Sequence, residues 1–190
     1  MFNFKHAIVT TLMIFITACS SSGINKEQLL SASYSDVEAV NLKVGQQAPN
    51  FSLNNSANEK VSLTQILDKK HAMLVFYRGE WCPYCISNLE SFESVLPELA
   101  KHNVQLVGIS PDAVSTNKNT QRSFGQDYLF LSDSDLTVSQ LFGIKRDEKI
   151  PHPAVFLIKQ DGSIAWYHAS KNIKVRPSGE QMLEVIKAKL

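Results

Sequence analysis

His71-Ala-Met-Leu-Val-Phe-Tyr-Arg-Gly-Glu-Trp-Cys-Pro-Tyr-Cys-Ile-Ser-Asn-Leu89 is the stretch around which the rest of the chain is organised. Ala72 to Tyr77 is a short apolar run suited to a strand buried on both faces, and Arg78-Gly79-Glu80 breaks it. Cys82 then stands where a helix begins, with Pro83 in the first turn, where a missing N–H leaves nothing unpaired. Ile86, Leu89, Phe92, Val95 and Leu96 share one side of the segment that follows. This makes it an amphipathic helix whose positive end points at the first sulfur.

Such a placement makes a thiol reactive. The thiolate is the nucleophile, and a helix N-terminus with Arg78 nearby in sequence favours it; Cys-X-X-Cys thiols so placed fall from about 8.5 to between about 3.5 and 7.5. Two thiols at this spacing can also close a disulfide, one attacking and the other releasing the mixed disulfide. Two other readings stay open. Half of a zinc site is one, although the chain has no second pair and His71, His102, His152 and His168 lack zinc-finger spacing. A structural disulfide is the other: it suits an exported domain, but a bridge closing so short a loop restricts the unfolded chain little.

The 190 residues, 44% apolar, suffice for one globular domain plus an appendage. The appendage is the start. Lys5 precedes Ala7 to Ile16, an apolar run too short for a stable membrane span, and Ile16-Thr17-Ala18-Cys19 closes it with small residues. This reads as an export signal whose end resembles the bacterial lipobox, which implies cleavage before Cys19 and lipidation of its sulfur. Two or more acyl chains would anchor the protein stably. Ser20 rather than Asp after the cysteine resembles the Gram-negative pattern for sorting to the outer membrane. An ordinary cleaved signal or an uncleaved anchor is the alternative. Lys5 is the one charged side chain before Cys19, so without the leader the domain is about neutral, which gives no electrostatic case for nucleic acid. Setting Cys19 aside leaves Cys82 and Cys85 as the remaining thiols, so no wider disulfide framework is expected.

The organisation expected is a lipoprotein signal peptide over 1–18, a lipid-anchored flexible tether over 19–44 and a redox domain over 45–190. The tether is polar and Ser-rich, with a weak helical patch from Glu27 to Val40. Phe51 and Leu53, then Val61 and Leu63, read as a small hairpin or extended arm, and Leu63 to Asp68 as a helical turn. Pro97 bends or ends the active-site helix. Val104–Ile109 is a second buried strand, followed by a helix opening at Ser110-Pro111-Asp112 and running toward Phe124. Leu129–Asp133 is a further strand, and Ser134-Asp135 to Phe142 a capped helix ending at Gly143. Ala154–Ile158 and Ile164–Tyr167 flank Asp161-Gly162 as a hairpin, and Gly179–Leu190 is the closing helix. Strands alternating with helices give an α/β domain with a mixed sheet.

These residues resemble the alkyl hydroperoxide reductase/thiol-specific antioxidant (AhpC/TSA) group of thioredoxin-fold proteins, and within it the peroxiredoxin-like branch. The resemblance covers Gly45 to Leu190 and rests on five motifs. They are Val44-Gly45-Gln46-Gln47-Ala48-Pro49-Asn50-Phe51, Val75 to Cys85, Gly108-Ile109-Ser110-Pro111-Asp112, Leu131-Ser132-Asp133 and Val175-Arg176-Pro177. It implies a central mixed sheet flanked by helices, with a peroxiredoxin-like N-terminal extension. Laid on the Phe-Tyr-Pro start of the peroxiredoxin motif, Phe76-Tyr77 puts Cys85 on the peroxidatic cysteine. Laid on thioredoxin, the same stretch makes Cys82 the nucleophile and Cys85 the resolver. Arg78 stands where a typical peroxiredoxin has proline, Cys82 replaces the threonine that positions the peroxide, and Pro153 occupies the place of a supporting arginine. Pro153 instead resembles the cis-proline of thioredoxins, which presents backbone to an extended substrate; the alternative is a trans proline at a strand edge.

Arg176 is a candidate to reach the site, Trp81 to shield it, Glu80 to shuttle a proton and His152 to contact substrate; an exposed or merely packed role is the alternative for each. The reading is a thiol–disulfide oxidoreductase of the bacterial cell envelope, lipid-anchored and facing the periplasm from the outer membrane. In it Cys82 attacks a substrate disulfide and Cys85 releases it. The first alternative is a thiol peroxidase in which Cys85 becomes sulfenic acid and Cys82 condenses with it. The second is a thioredoxin-fold module holding a soft ion such as Cu(I) between the two thiolates. The implied partners are an envelope thiol or disulfide protein or a small peroxide, an unidentified reductant, and the membrane through Cys19. No cofactor, no resident metal and no nucleic acid are implied.

Overall fold

The computed structural model describes residues 24–190. The leader, Cys19 and the first residues of the expected tether lie outside the described residues. In chain order the elements are α1 (Lys26–Ser31), β1 (Tyr34–Ser35), β2 (Ser52–Asn55), β3 (Lys60–Ser62), α2 (Leu63–Leu67), β4 (His71–Phe76), α3 (Pro83–Glu90) and α4 (Leu96–Lys101). There follow β5 (Val104–Ser110), α5 (Val114–Phe124), β6 (Tyr128–Ser132), α6 (Thr137–Leu141), β7 (Ala154–Ile158), β8 (Ile164–Ala169) and α7 (Gly179–Lys189).

β4 is the centre of this arrangement because both its faces and both its edges are covered. It pairs parallel with β5 from His71↔Val104 to Phe76↔Ile109, and antiparallel with β7 from Ala72↔Ile158 to Phe76↔Ala154. Successive side chains point to opposite faces. Met73, Val75 and Tyr77 therefore join one core with Leu89 of α3, Leu99 of α4 and Met182, Val185 and Ile186 of α7. Ala72, Leu74 and Phe76 join the other with Ile66 of α2, Val138 of α6 and Phe142. Two independent cores explain why the run is apolar without alternation. The full sheet runs β1-β8-β7-β4-β5-β6-β2-β3, mixed and eight-stranded among the described residues, so the expected α/β fold with a central mixed sheet is what forms.

The redox helix is shorter than its apolar pattern. α3 ends at Glu90, and a 3-10 turn at Glu93–Val95 leads into α4, whose first turn holds Pro97. Proline has no N–H for the carbonyl four residues back and restricts the residue before it, so a continuous helix breaks there. α6 is likewise only Thr137–Leu141. Its buried cap is Asp133, which accepts from the Val138 and Ser139 amides at 3.0 and 2.8 Å, while Asp135 caps Thr137 from outside.

From residue 24 onward the expected flexible tether is instead part of the folded body. Ile24, Leu29, Val37 and Leu42 are buried. Trp166 Nε1 donates to the Leu29 carbonyl at 3.0 Å, and Lys26 pairs with Glu184 on α7. β1 adds a parallel edge to β8, Tyr34↔His168 and Ser35↔Ala169. His168, packed 5.2 Å from the Tyr34 ring, is held down to about 4 by burial and stays neutral at physiological pH. The polar composition of the segment concealed four apolar anchors spaced too irregularly to show a period. Deleting residues 1–43 should lower unfolding stability by about 3–6 kcal/mol, since the apolar surface that Ile24, Leu29, Val37 and Leu42 cover is left exposed. Urea titration of the two proteins checks this; equal midpoints would restore the tether.

Candidate redox site

The site is built where β4 ends. The Tyr77 amide still donates to Ile109 at 3.0 Å, after which the chain leaves the sheet through Arg78-Gly79-Glu80. Gly79 has φ +139°, and a Cβ there would meet the Trp81 ring and Asp112 Oδ1 at under 3 Å. Only glycine fits such a turn without strain. Asp112, from the end of β5, fixes the turn from outside: its Oδ2 accepts from the Glu80 amide and from the Ser110 hydroxyl, each at 2.9 Å. Its own carbonyl accepts from Ser132 Oγ on β6 at 2.7 Å. The turn is thus tied to two neighbouring strands, β5 and β6.

Cys82 is the N-cap of α3, in extended conformation, with Pro83 as the first helical residue. Cys82 and Cys85 are joined by a disulfide, with their Cα atoms 5.2 Å apart. The helical hydrogen bonds across the bridge are intact: the Cys85 and Ile86 amides both donate to the Cys82 carbonyl, at 2.9 and 3.1 Å. Both sulfur residues are buried, Cys82 at 1% and Cys85 at 0% exposure. Their flanking aromatics are the reverse, Trp81 at 58% and Tyr84 at 46%. Each carries a cation on its ring: the Arg78 guanidinium lies 4.7 Å from the Trp81 centroid and the Lys174 ammonium 5.6 Å from that of Tyr84. Trp81 folds back over Gly79.

Arg176 is buried, not exposed. Asn88 of α3 donates to the Pro177 carbonyl at 2.8 Å, and Ser91 Oγ accepts from the Gly179 amide at 3.0 Å. These contacts hold the loop carrying Arg176 against the helix that bears Cys85. Arg176 Nε donates to Ile173, but Nη2 has no acceptor, and Arg78 Nε is buried without one as well. Burial and, after it, the neighbouring Arg78 charge bring the Arg176 guanidinium down to about 10, so it remains a cation. Two buried guanidinium donors near one helix turn, both short of an acceptor, form an environment that favours an anion.

Pro153 departs from expectation. No peptide bond among the described residues is cis. The backbone around it is also committed: the His152 amide donates to Ile144 at 2.8 Å, and the Pro153 carbonyl accepts from Ser170 at 3.1 Å. The residue just after β8 and the segment after Gly143 thus already use part of the backbone that an extended substrate would pair with. His152 is partly buried with Nδ1 unpaired, and burial lowers its proton affinity. Glu80 is exposed, and its backbone amide is what bonds to Asp112. No group of three or more His, Cys, Asp or Glu among the described residues is arranged to hold a metal. A cavity of about 270 Å³ lies elsewhere, between α1, β1 and β8, and neither cysteine lines it. Asp112 and Asn88 are the supports that sequence reasoning missed: an Asp after a strand reads as a cap until its partner is known, and an Asn within a helix reads as a surface residue.

Residues 44–167, more than half of the chain, match the family model described as AhpC/TSA. The chain belongs to the AhpC/TSA family. A protein described as peroxiredoxin bcp in Coxiella burnetii is 31% identical to this AhpC/TSA protein over 133 residues, 66% of this chain and 87% of that one. Peroxiredoxin Bcp of Escherichia coli is 29% identical over 130 residues, 65% and 83% of the two chains. Among solved structures, peroxidoxin BcpB of Mycobacterium tuberculosis superposes with a TM-score of 0.68 at 24% identity, covering 77% of this chain and 96% of that one. The thioredoxin fold and the oxidoreductase class expected from the sequence are therefore established.

Replacing Asp112 with Ala removes the acceptor of the Glu80 amide and should cost about 1.5–3 kcal/mol of stability. Thermal unfolding of the oxidised variant checks this; an unchanged midpoint would show that the turn holds itself.

Proposed function

We propose that this protein is a thiol peroxidase of the cell envelope in which Cys85 attacks the peroxide and Cys82 resolves the product. The Cys85 thiolate attacks the terminal peroxide oxygen, the O–O bond breaks, and the departing hydroxide or alkoxide takes up the proton that the Cys85 thiol released, leaving as water or an alcohol while Cys85 becomes sulfenic acid. The Cys82 thiolate then attacks the Cys85 sulfur, the S–O bond breaks, the departing hydroxide takes up the proton that the Cys82 thiol released and leaves as water, and the disulfide forms. An external dithiol returns the pair to the reduced state by exchange.

The observation that carries this reading is the buried Cys82–Cys85 pair in a chain of the AhpC/TSA family whose relatives bear the peroxiredoxin name. Cys85 lies inside the first turn of α3, on the helix that Asn88 ties to the Arg176 loop. Arg176 and Arg78 are assigned to hold the thiolate, in place of the supporting arginine that Pro153 displaces. Disulfide exchange with an extended polypeptide, the main expectation from sequence, finds less support: the His152 amide and the Pro153 carbonyl are already bonded to Ile144 and Ser170. Export and anchoring through Cys19 rest on Lys5, the apolar run and Ile16-Thr17-Ala18-Cys19.

Stopped-flow fluorescence of Trp81 with hydrogen peroxide tests the assignment. The reduced protein should react orders of magnitude faster than free cysteine. Cys85→Ser should lose that reaction, Cys82→Ser should keep its first step within about tenfold, and Arg176→Gln should slow it about 10- to 100-fold. A rate for the wild type no better than free cysteine, or its survival in Cys85→Ser, would contradict the proposal.

A further inference from the structure

Cys82 and Cys85 occupy the N-cap and third positions of α3. These are the two positions whose side chains meet at a helix start, because the N-cap side chain reaches the third amide while the third side chain reaches back. The same chain makes this contact twice with hydrogen bonds: Ser62 with Gln65 at α2 and Ser178 with Gln181 at α7 both form capping boxes. At α3 two sulfurs take the same places. The disulfide joins them at a Cα separation of 5.2 Å with the Cys85 and Ile86 amides still bonded to the Cys82 carbonyl. Asp112 and Gly79 fix the turn before Cys82, and Asn88 and Ser91 pin the helix after Cys85 to the Pro177–Gly179 segment.

We infer that the sulfenic acid on Cys85 is resolved by Cys82 with α3 folded throughout, so that excess peroxide does not carry Cys85 on to the sulfinic acid. The inference rests on Cys85 being the sulfur that peroxide attacks. The two fates of the sulfenic acid compete. Attack by Cys82 forms the S–S bond and expels water. Attack on a second peroxide breaks another O–O bond, leaves a second oxygen on sulfur, and reduces that peroxide to water. A thiol held one helical turn away, without unwinding, has an effective concentration that even at a modest ~10 M exceeds ~1 mM peroxide by about 10⁴-fold. The helix position of Cys82 is therefore a protection against inactivation as well as a resolving step.

Two measurements test this. In the first, amide hydrogen exchange of α3 is compared between the full protein reduced with dithiothreitol and the same protein oxidised with diamide. Protection of the amides from Cys85 to Leu89 should agree within about threefold, and a loss of tenfold or more in the disulfide form would overturn the inference. In the second, the protein turns over with dithiothreitol and about 1 mM hydrogen peroxide and is analysed by mass spectrometry. Wild type should remain free of sulfinic acid while Cys82→Ser accumulates it at Cys85; equal accumulation in both would also overturn it. A Cys82→Ser protein that peroxide leaves unmodified would sink the peroxidase reading instead. The exchange comparison would still decide whether α3 unfolds.

Discussion

The contact between the N-cap and third side chains of α3 is the constraint on which the site depends. It requires a helix starting at Pro83, and the helix can start there only because the chain leaves β4 through a turn closed by Gly79 and held by Asp112. That turn in turn requires β5 and β6 at fixed distance, since Asp112 is bonded to Ser110 and Ser132 at their ends. The two cores on either face of β4 set those strands. Thus the hydrophobic pattern of one six-residue strand positions two sulfurs that lie beyond it.

Charge enters the site from the other end of the chain. Arg176 stands fourteen residues before the C-terminus, yet it is buried beside α3 through Asn88 and Ser91. Gly179 permits this because a Cβ there would meet the Ser91 carbonyl. Burying a guanidinium is unfavourable unless an anion is supplied. The unpaired donors of Arg176 and Arg78 are explained if the reduced state supplies a thiolate.

How much of this was legible in the sequence follows from how local each cause is. The strand at Ala72–Tyr77, the helix start at Pro83 and the hairpin at Asp161-Gly162 were readable, since apolar runs, first-turn proline and Asp-Gly turns act within a few residues. The Pro97 break was half-readable. Residues 24–44 were misread because their anchors, Leu29 against Trp166 and Tyr34 beside His168, are long-range and leave no periodic trace. Pro153 was misread because its backbone partners, Ile144's carbonyl for the neighbouring His152 and Ser170 for its own carbonyl, are supplied by other segments. Asp112 and Asn88 are polar residues in ordinary positions, and only the fold shows what they hold.

The central claim is that Cys85, not Cys82, takes oxygen from the peroxide. Its most direct test is to expose reduced Cys82→Ser and Cys85→Ser proteins to one equivalent of hydrogen peroxide with dimedone present, and to locate the adduct by mass spectrometry. The account predicts an adduct on Cys85 in the first protein and none on Cys82 in the second. An adduct on Cys82, with Cys85 unlabelled, would contradict it and return the first attack to the N-cap sulfur.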